Sequence, residues 1–245
     1  MPRHGFRAPV VVVGHSCVLS WWEAVLHDRA PASFDRYRAA VTRGLAAADA
    51  VIAPTATMLN SLERRYGPLQ LRAVVPIGVP DPPAGRCVAR ERAVLAAGRV
   101  WDRAKNVAAL ARVAPAFAGP VRVAGCDRRP DGSRRTLPHV ETLGWLEPVL
   151  LGRAMQAAAI FAHPARYQPF GLAPDDDDAL AAALNGYAHD EDLRLHDAER
   201  AAARAATFTP QRMIDGTLAV YERLLGATPV TAQELAKGRV LPSCA

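Results

Sequence analysis

Lysine is almost missing from this chain of 245 residues: of 30 basic side chains only Lys105 and Lys237 are lysine. Cysteine is sparse too. Cys17, Cys87, Cys126 and Cys244 form no CxxC pair and stand far apart, which excludes a zinc motif or a disulfide framework and leaves free buried or half-buried thiols as the expectation. Aromatic residues make up 6% of the chain and do not interleave with the arginines. The net charge of +6 is therefore compositional, not a stripe that grips nucleic acid, and no nucleic-acid partner is expected. No run of about 18 apolar residues occurs, so no bilayer-spanning helix is expected. The basic start and short apolar run of MPRHGFRAPVVVVGHS end at Gly14, His15 and Ser16 without a small-residue cleavage site, which predicts a cytoplasmic protein. Also lacking are GxxxxGK[ST], GxGxxG and GxSxG, which removes P-loop enzymes, dinucleotide-fingerprint enzymes and nucleophile-elbow hydrolases.

What is present is an alternation of strand and helix patterns. Val10–Val13 is a β-branched run suited to a strand buried on both faces, and a helical segment follows from near Ser20. Arg36–Ala48 predicts a helix and Ala50–Ala53 a strand. Ala56–Tyr66 predicts a second helix, capped by Thr55 and stopped at Gly67-Pro68, and Leu71–Pro76 a third strand. The stretch IGVPDPPAGR reads as a linker. Strands are then expected at Ala93–Ala97, Val121–Ala124, Val140–Leu143 and Ala159–Ala162, with helices from Lys105 to Pro115 and from Val149 to Ala158. The chain after Asp175–Asp178 is helical to Leu225, and the remainder is a tail. The expected fold is thus α/β, two Rossmann-like lobes with parallel sheets: residues 1–80, residues 81–226 with a helical end, and a tail at 227–245. Ligands in such folds lie at the carboxyl ends of the strands, which directs attention to His15, to the loop from Gly98 to Lys105, to Gly125, and to Pro164–Gly171.

The loop AAGRVWDRAKN follows a predicted strand and opens a predicted helix. Gly98 lets the backbone approach a ligand, while Arg99 and Lys105 flank a helix start whose free amides favour an anion. One of only two lysines stands here, and a compact ammonium enters a phosphate pocket that a guanidinium fork does not fit. A surface cation at a helix start is the plainer alternative. His15, taken alone, is equally a hydrogen-bonded structural residue beside Trp21 and Trp22.

VLAAGRVWDRAKN resembles the donor-phosphate loop of retaining GT-B glycosyltransferases (group 1, family-4-like): strand, Gly-Arg, short loop, Lys-Asn. Further segments match that family in order. VVVVGHSCVLSWW resembles its His-Ser loop, ADAVIAPTATMLNSLERRYG its strand and helix before the hinge, and VVPIGV the turn after them. VRVAG, HVETLGWL and AAIFAHPARYQPFGL resemble the donor-side strands and sugar loop, and TFTPQRMIDGTLAVYERLL the terminal helix of the donor domain. The resemblance spans most of Pro9–Leu225. It implies transfer of a hexosyl group, with retention, from a nucleoside-diphosphate sugar to a saccharide or lipid-linked acceptor, without metal or other cofactor. By the same resemblance Arg99 and Lys105 hold the donor diphosphate, Gly98, Asn106, Gly125 and Gln168 belong to the donor-binding set, Phe170, Gly171 and Leu172 offer backbone amides to sugar or phosphate, and His15 lies near the transferred sugar.

The sequence departs from the pattern in three places. Gln168 stands where the family has Glu, so the sugar loop lacks a charge that could stabilise positive character at the donor. Leu172-Ala173-Pro174 runs straight into Asp175–Asp178, omitting a helix, strand and loop on the order of 30 residues. The four aspartates suit a capped helix start better than a metal site. The resemblance also begins at the last strands of the N-terminal lobe, so that lobe is expected to be partial and Val10–Val13 to lie at an open sheet edge. Two other functions remain open: an inactive glycosyltransferase remnant with at most nucleotide binding, and a basic module for anions or nucleic acid.

Overall fold

A computed structural model describes residues 8–80, 90–168 and 176–226. The chain divides into two compact units. The first comprises the residues up to Ser20, Arg29–Pro80 and those from Thr207 onward; the second comprises Trp21–Asp28 and Asp81–Ala206. The linker segment 81–89, the sugar-loop residues Phe170, Gly171 and Leu172, and the tail at 227–245 lie outside the described residues.

In the first unit β1 (Val11–Val13), β2 (Ala50–Ala53) and β3 (Leu71–Val74) form a parallel sheet in the order β1-β2-β3. Its central strand reads Ala-Val-Ile-Ala and is buried at every position, as a strand covered on both faces must be. Helices α2 (Asp35–Ala47) and α3 (Ala56–Tyr66) lie in this unit, whereas α1 (Val18–Leu26) starts in it and from Trp21 is counted with the second. Thr55 caps α3 as expected, its hydroxyl accepting from the Met58 amide at 3.1 Å, and Gly67 ends it. Among the described residues β1 pairs only with β2.

The helix that closes the described chain, α8 (Pro210–Leu225), was expected to end the second lobe. It lies instead with the first unit. Val220 is buried with Ala50, Ile52 and Val75, and Met213 and Leu224 pack on the same cluster. Burial of this apolar stripe against β2 is what holds the helix. The connection depends on Gly78. A Cβ there would lie 2.5 Å from the Thr209 carbonyl oxygen and from Pro210 Cα, and the Val79 amide donates to the Phe208 carbonyl at 2.8 Å.

The second unit has β4 (Glu91–Ala97), β5 (Val121–Ala124), β6 (Glu141–Gly144) and β7 (Ala158–Phe161) in a parallel sheet ordered β6-β5-β4-β7. Alternation along β4 divides its core. Val94 and Ala96 pack with Leu110 and Val113 of α4 (Ala108–Val113) and Leu184 of α6 (Asp177–His189). Leu95 turns to the other face, where Leu151 and Ala154 of α5 (Pro148–Ala157) cover it. Helices on both faces make this a doubly wound sheet. After β7, an edge strand, the described chain resumes at α6 and continues as α7 (Glu191–Ala205). Asp176 caps α6, its carboxylate accepting from the Ala179 amide at 2.9 Å, so the aspartate run does serve a helix start. Among the described residues no three His, Cys, Asp or Glu side chains converge as a metal site, and no helix is long and apolar enough to cross a membrane.

Candidate functional site

Three adjacent strands of the second unit end in glycine: Gly98 after β4, Gly125 after β5, and Gly144 at the end of β6. The ladder continues through them, Gly98 N–H donating to the Ala124 carbonyl at 2.9 Å and Gly125 N–H to the Gly144 carbonyl at 2.7 Å. A Cβ at Gly125 would stand 1.9 Å from the Gly98 carbonyl oxygen, so only glycine allows the two backbones to meet. The carboxyl ends of these three strands thereby carry no side chain, whereas β7 ends in Phe161.

Over this platform lies Lys105. Its Cβ and Cγ would be 3.3 and 3.2 Å from a Cβ at Gly98, so its stem runs across the bare glycine. The ammonium Nζ donates to Gln168 Oε1 at 3.3 Å. The loop that carries it is shaped by Asp102, a residue the sequence reading did not single out. The Asp102 carboxylate accepts from the Ala104 amide at 2.9 Å, and its carbonyl accepts from the amides of Lys105 and Asn106 at 3.1 and 3.2 Å. Such an Asx turn is what an aspartate offers at the head of a loop, and Asp102 could have been suspected from that propensity. Buried Asn106 completes the bend with φ of 50°, a conformation asparagine tolerates better than most residues.

Three expectations need correction. The helix does not begin at Lys105. It begins at Ala108 and has six residues, because Asp102 directs the amides of 104–106 into a turn. No helix therefore starts at Lys105. Nor do Arg99 and Lys105 form an equivalent pair. The Arg99 guanidinium is exposed, ion-paired with Asp102 and stacked over Trp101 at 5.3 Å, so its charge is already partly answered. Cys126, moreover, is an exposed thiol, whereas Cys17 is buried beside the Tyr66 hydroxyl at 3.4 Å.

His163, just after β7, joins Lys105 and Gln168. Burial is the main reason its pKa falls below the usual imidazole range. The Lys105 charge lowers it further, and a hydrogen bond with Gln168 opposes the shift. His163 therefore stands neutral at pH 7, and it lines an apolar cavity of about 290 Å³ with Phe161, Ile160 and residues of α6. Its sequence signal was the one that marked His15, a histidine immediately after a buried strand. His15 itself is exposed, follows β1 in the first unit, and sits after Gly14, whose amide donates to the Ile52 carbonyl at 2.8 Å. The structure thus brings together Gly98, Lys105, Asn106, Gly125 and Gln168 in one unit and leaves His15 in the other.

No family model matches the sequence, and no curated protein matches it. Solved structures do match. Sucrose-phosphate synthase from Thermosynechococcus elongatus aligns with a TM-score of 0.69 at 18% identity, over 92% of this chain and 70% of that one. TarM aligns with a TM-score of 0.66 at 10% identity, over 89% of this chain and 51% of its own. A glycosyltransferase from Rickettsia africae ESF-5 aligns with a TM-score of 0.61 at 13% identity, over 89% of this chain and 78% of its own. The chain thus spans between half and four-fifths of these structures. Identities this low speak of fold alone, and the fold is that of the GT-B glycosyltransferases, with a parallel, helix-covered sheet in each of two Rossmann-like units.

Proposed function

We propose that the chain is a glycosyltransferase that takes a nucleoside-diphosphate sugar and transfers its hexosyl group, with retention, to a saccharide or lipid-linked acceptor. The observation that carries the reading is the placement of Lys105. Its stem crosses Gly98 at the carboxyl end of a parallel strand, where this fold class binds ligands, and its ammonium meets Gln168. A departing nucleoside diphosphate concentrates negative charge where a fixed cation lowers the barrier most. Gly98 and Gly125 permit the close backbone packing on which the Lys105 stem rests, and Asn106 holds the turn that presents Lys105. Neutral His163 and the Gln168 amide offer hydrogen bonds to sugar hydroxyls without adding charge. Arg99 reaches the diphosphate only by exchanging its Asp102 carboxylate for phosphate oxygens. Phe170, Gly171 and Leu172 contribute backbone amides to the sugar or phosphate.

A second reading, donor binding without transfer, is favoured by Gln168, which supplies no anionic charge beside the sugar.

Thermal unfolding with UDP, GDP and ADP separates the possibilities. A ligand that binds only the folded state adds about 2.7 kcal/mol at a hundredfold excess over Kd. One diphosphate is expected to raise the melting temperature, and Lys105→Ala to abolish the rise. A melt insensitive to all three, in a protein that unfolds cooperatively, would sink the donor site. Release of sugar from the matching nucleotide sugar distinguishes transfer from binding alone.

A further inference from the structure

Away from the contact between Lys105 and Gln168, the second unit contains a cavity of about 360 Å³ lined by Arg103, Arg112, Arg129, Arg135, Arg166 and Trp101. Five guanidinium groups face one concavity, against a single lining carboxylate, Asp102, which is already ion-paired with Arg99. Asp177, on α6, pairs with Arg112. Asp177 also acts on Arg166, and Asp131 on Arg129, but the arginines outnumber these carboxylates, so the field in the cavity stays positive and favours an anion.

A second observation is independent of charge. The Trp101 indole N–H is buried, and among the described residues it has no hydrogen-bond acceptor. Buried donors are ordinarily satisfied, so an orphan in a lined cavity marks the place of a missing acceptor. Everything that this cavity offers through Trp101 and the arginines is a donor.

The walls are also pre-shaped. Arg129 and Arg135 sit on a short excursion after β5 that closes on itself: Arg129 N–H donates to the Ser133 carbonyl at 2.8 Å, Gly132 N–H to the Arg129 carbonyl at 3.0 Å, and Arg135 N–H to the Asp127 carbonyl at 2.9 Å. The Ser133 hydroxyl bonds the Asp131 carboxylate at 2.6 Å. Arg103 stands on the loop organised by Asp102, and Arg112 on α4. Guanidinium groups fixed on rigid turns bind phosphate bidentately, which lysines do not.

We propose that this arginine-lined cavity is a second anion site that takes a small ligand bearing two or more phosphate groups, with Trp101 Nε1 donating to one phosphate oxygen. Asp102 and Asn106 of the Lys105 loop line it, but Lys105 itself does not, and the assignment does not depend on the donor reading.

Tripolyphosphate, titrated against the full-length protein while indole fluorescence is followed, tests the assignment. Saturable binding is expected. The double variant Arg129→Ala, Arg135→Ala should weaken it at least tenfold, Trp101→Phe should remove most of the fluorescence change, and Lys105→Ala should leave the affinity within about twofold. Arg129→Lys, Arg135→Lys keeps the charge and should recover only part of the affinity, which separates fork recognition from bulk attraction. Unchanged melting without ligand shows that each variant folds. Equal loss on Lys105→Ala and on the double arginine variant would merge the two sites and overturn the proposal. So would full competition by sodium sulfate at matched ionic strength, or equally tight binding of a single-stranded DNA oligomer per phosphate. A chain that ignores UDP, GDP and ADP but binds tripolyphosphate through Arg129 and Arg135 would defeat the donor reading and leave this one standing.

Discussion

Gln168 and His163 set the electrostatics around Lys105, and a single substitution reveals how. Replacing the Gln168 amide by a carboxylate places a negative charge 3.3 Å from Lys105 Nζ, where the amide oxygen now lies. The same charge favours the imidazolium of His163. Gln168→Glu is expected to raise the His163 pKa, a change that NMR titration of the ring protons can follow. A bound diphosphate should act in the same direction, because it answers the Lys105 charge that helps to hold the imidazole neutral. The sign also fixes the effect on stability. The folded pKa of His163 lies below the unfolded value of about 6.5, so its share of stability is complete above that pH and is lost as acid titrates the imidazole. His163→Gln should flatten the decline in melting temperature below about pH 6.5; an unchanged slope would show that the decline has another source. If Gln168→Glu also accelerates sugar release, the amide is what limits turnover.

At the scale of elements, the glycines differ sharply in what they permit. Gly125 meets the Gly98 carbonyl oxygen, and that oxygen belongs to a strand end that cannot withdraw without breaking the ladder. Gly125→Ala should destabilise by roughly 3 kcal/mol, at the upper end for overpacking, and should abolish any diphosphate-dependent shift. Gly152, inside α5, has nothing within 4 Å of a would-be Cβ. Gly152→Ala is expected to stabilise by up to about 1 kcal/mol through helix propensity. Denaturant midpoints for the two variants should therefore move in opposite directions, and movement of both the same way would contradict the close approach at Gly125. The sequence already supplied most of these elements. β2, α3 and β5 end where their patterns end, because apolar runs, a Thr cap and a Gly stop act locally. The start of α4 was misread, since an Asx turn and a helix start use the same residue types.

For the whole molecule, the chain order and the division into units do not coincide. α8 returns to the first unit, where Val220 joins Ala50, Ile52 and Val75. Removing residues 207–245 should lower amide protection in β2 and β3 while leaving β4 and β5 unchanged, as hydrogen exchange would report. Loss of protection in β4 and β5 alone would instead assign the helix to the second unit. From the sequence by itself came the α/β class, the two strand-helix series, Gly98 and Lys105, because periodicity and loop chemistry are written in neighbouring residues. Tertiary structure alone decided that Asp102 engages Arg99, that His163 and Gln168 meet Lys105, that α8 lies with β2, and that five scattered arginines line one cavity. These pairings join residues far apart in the chain, and such partners are selected by burial and packing of the whole unit, which no local pattern encodes.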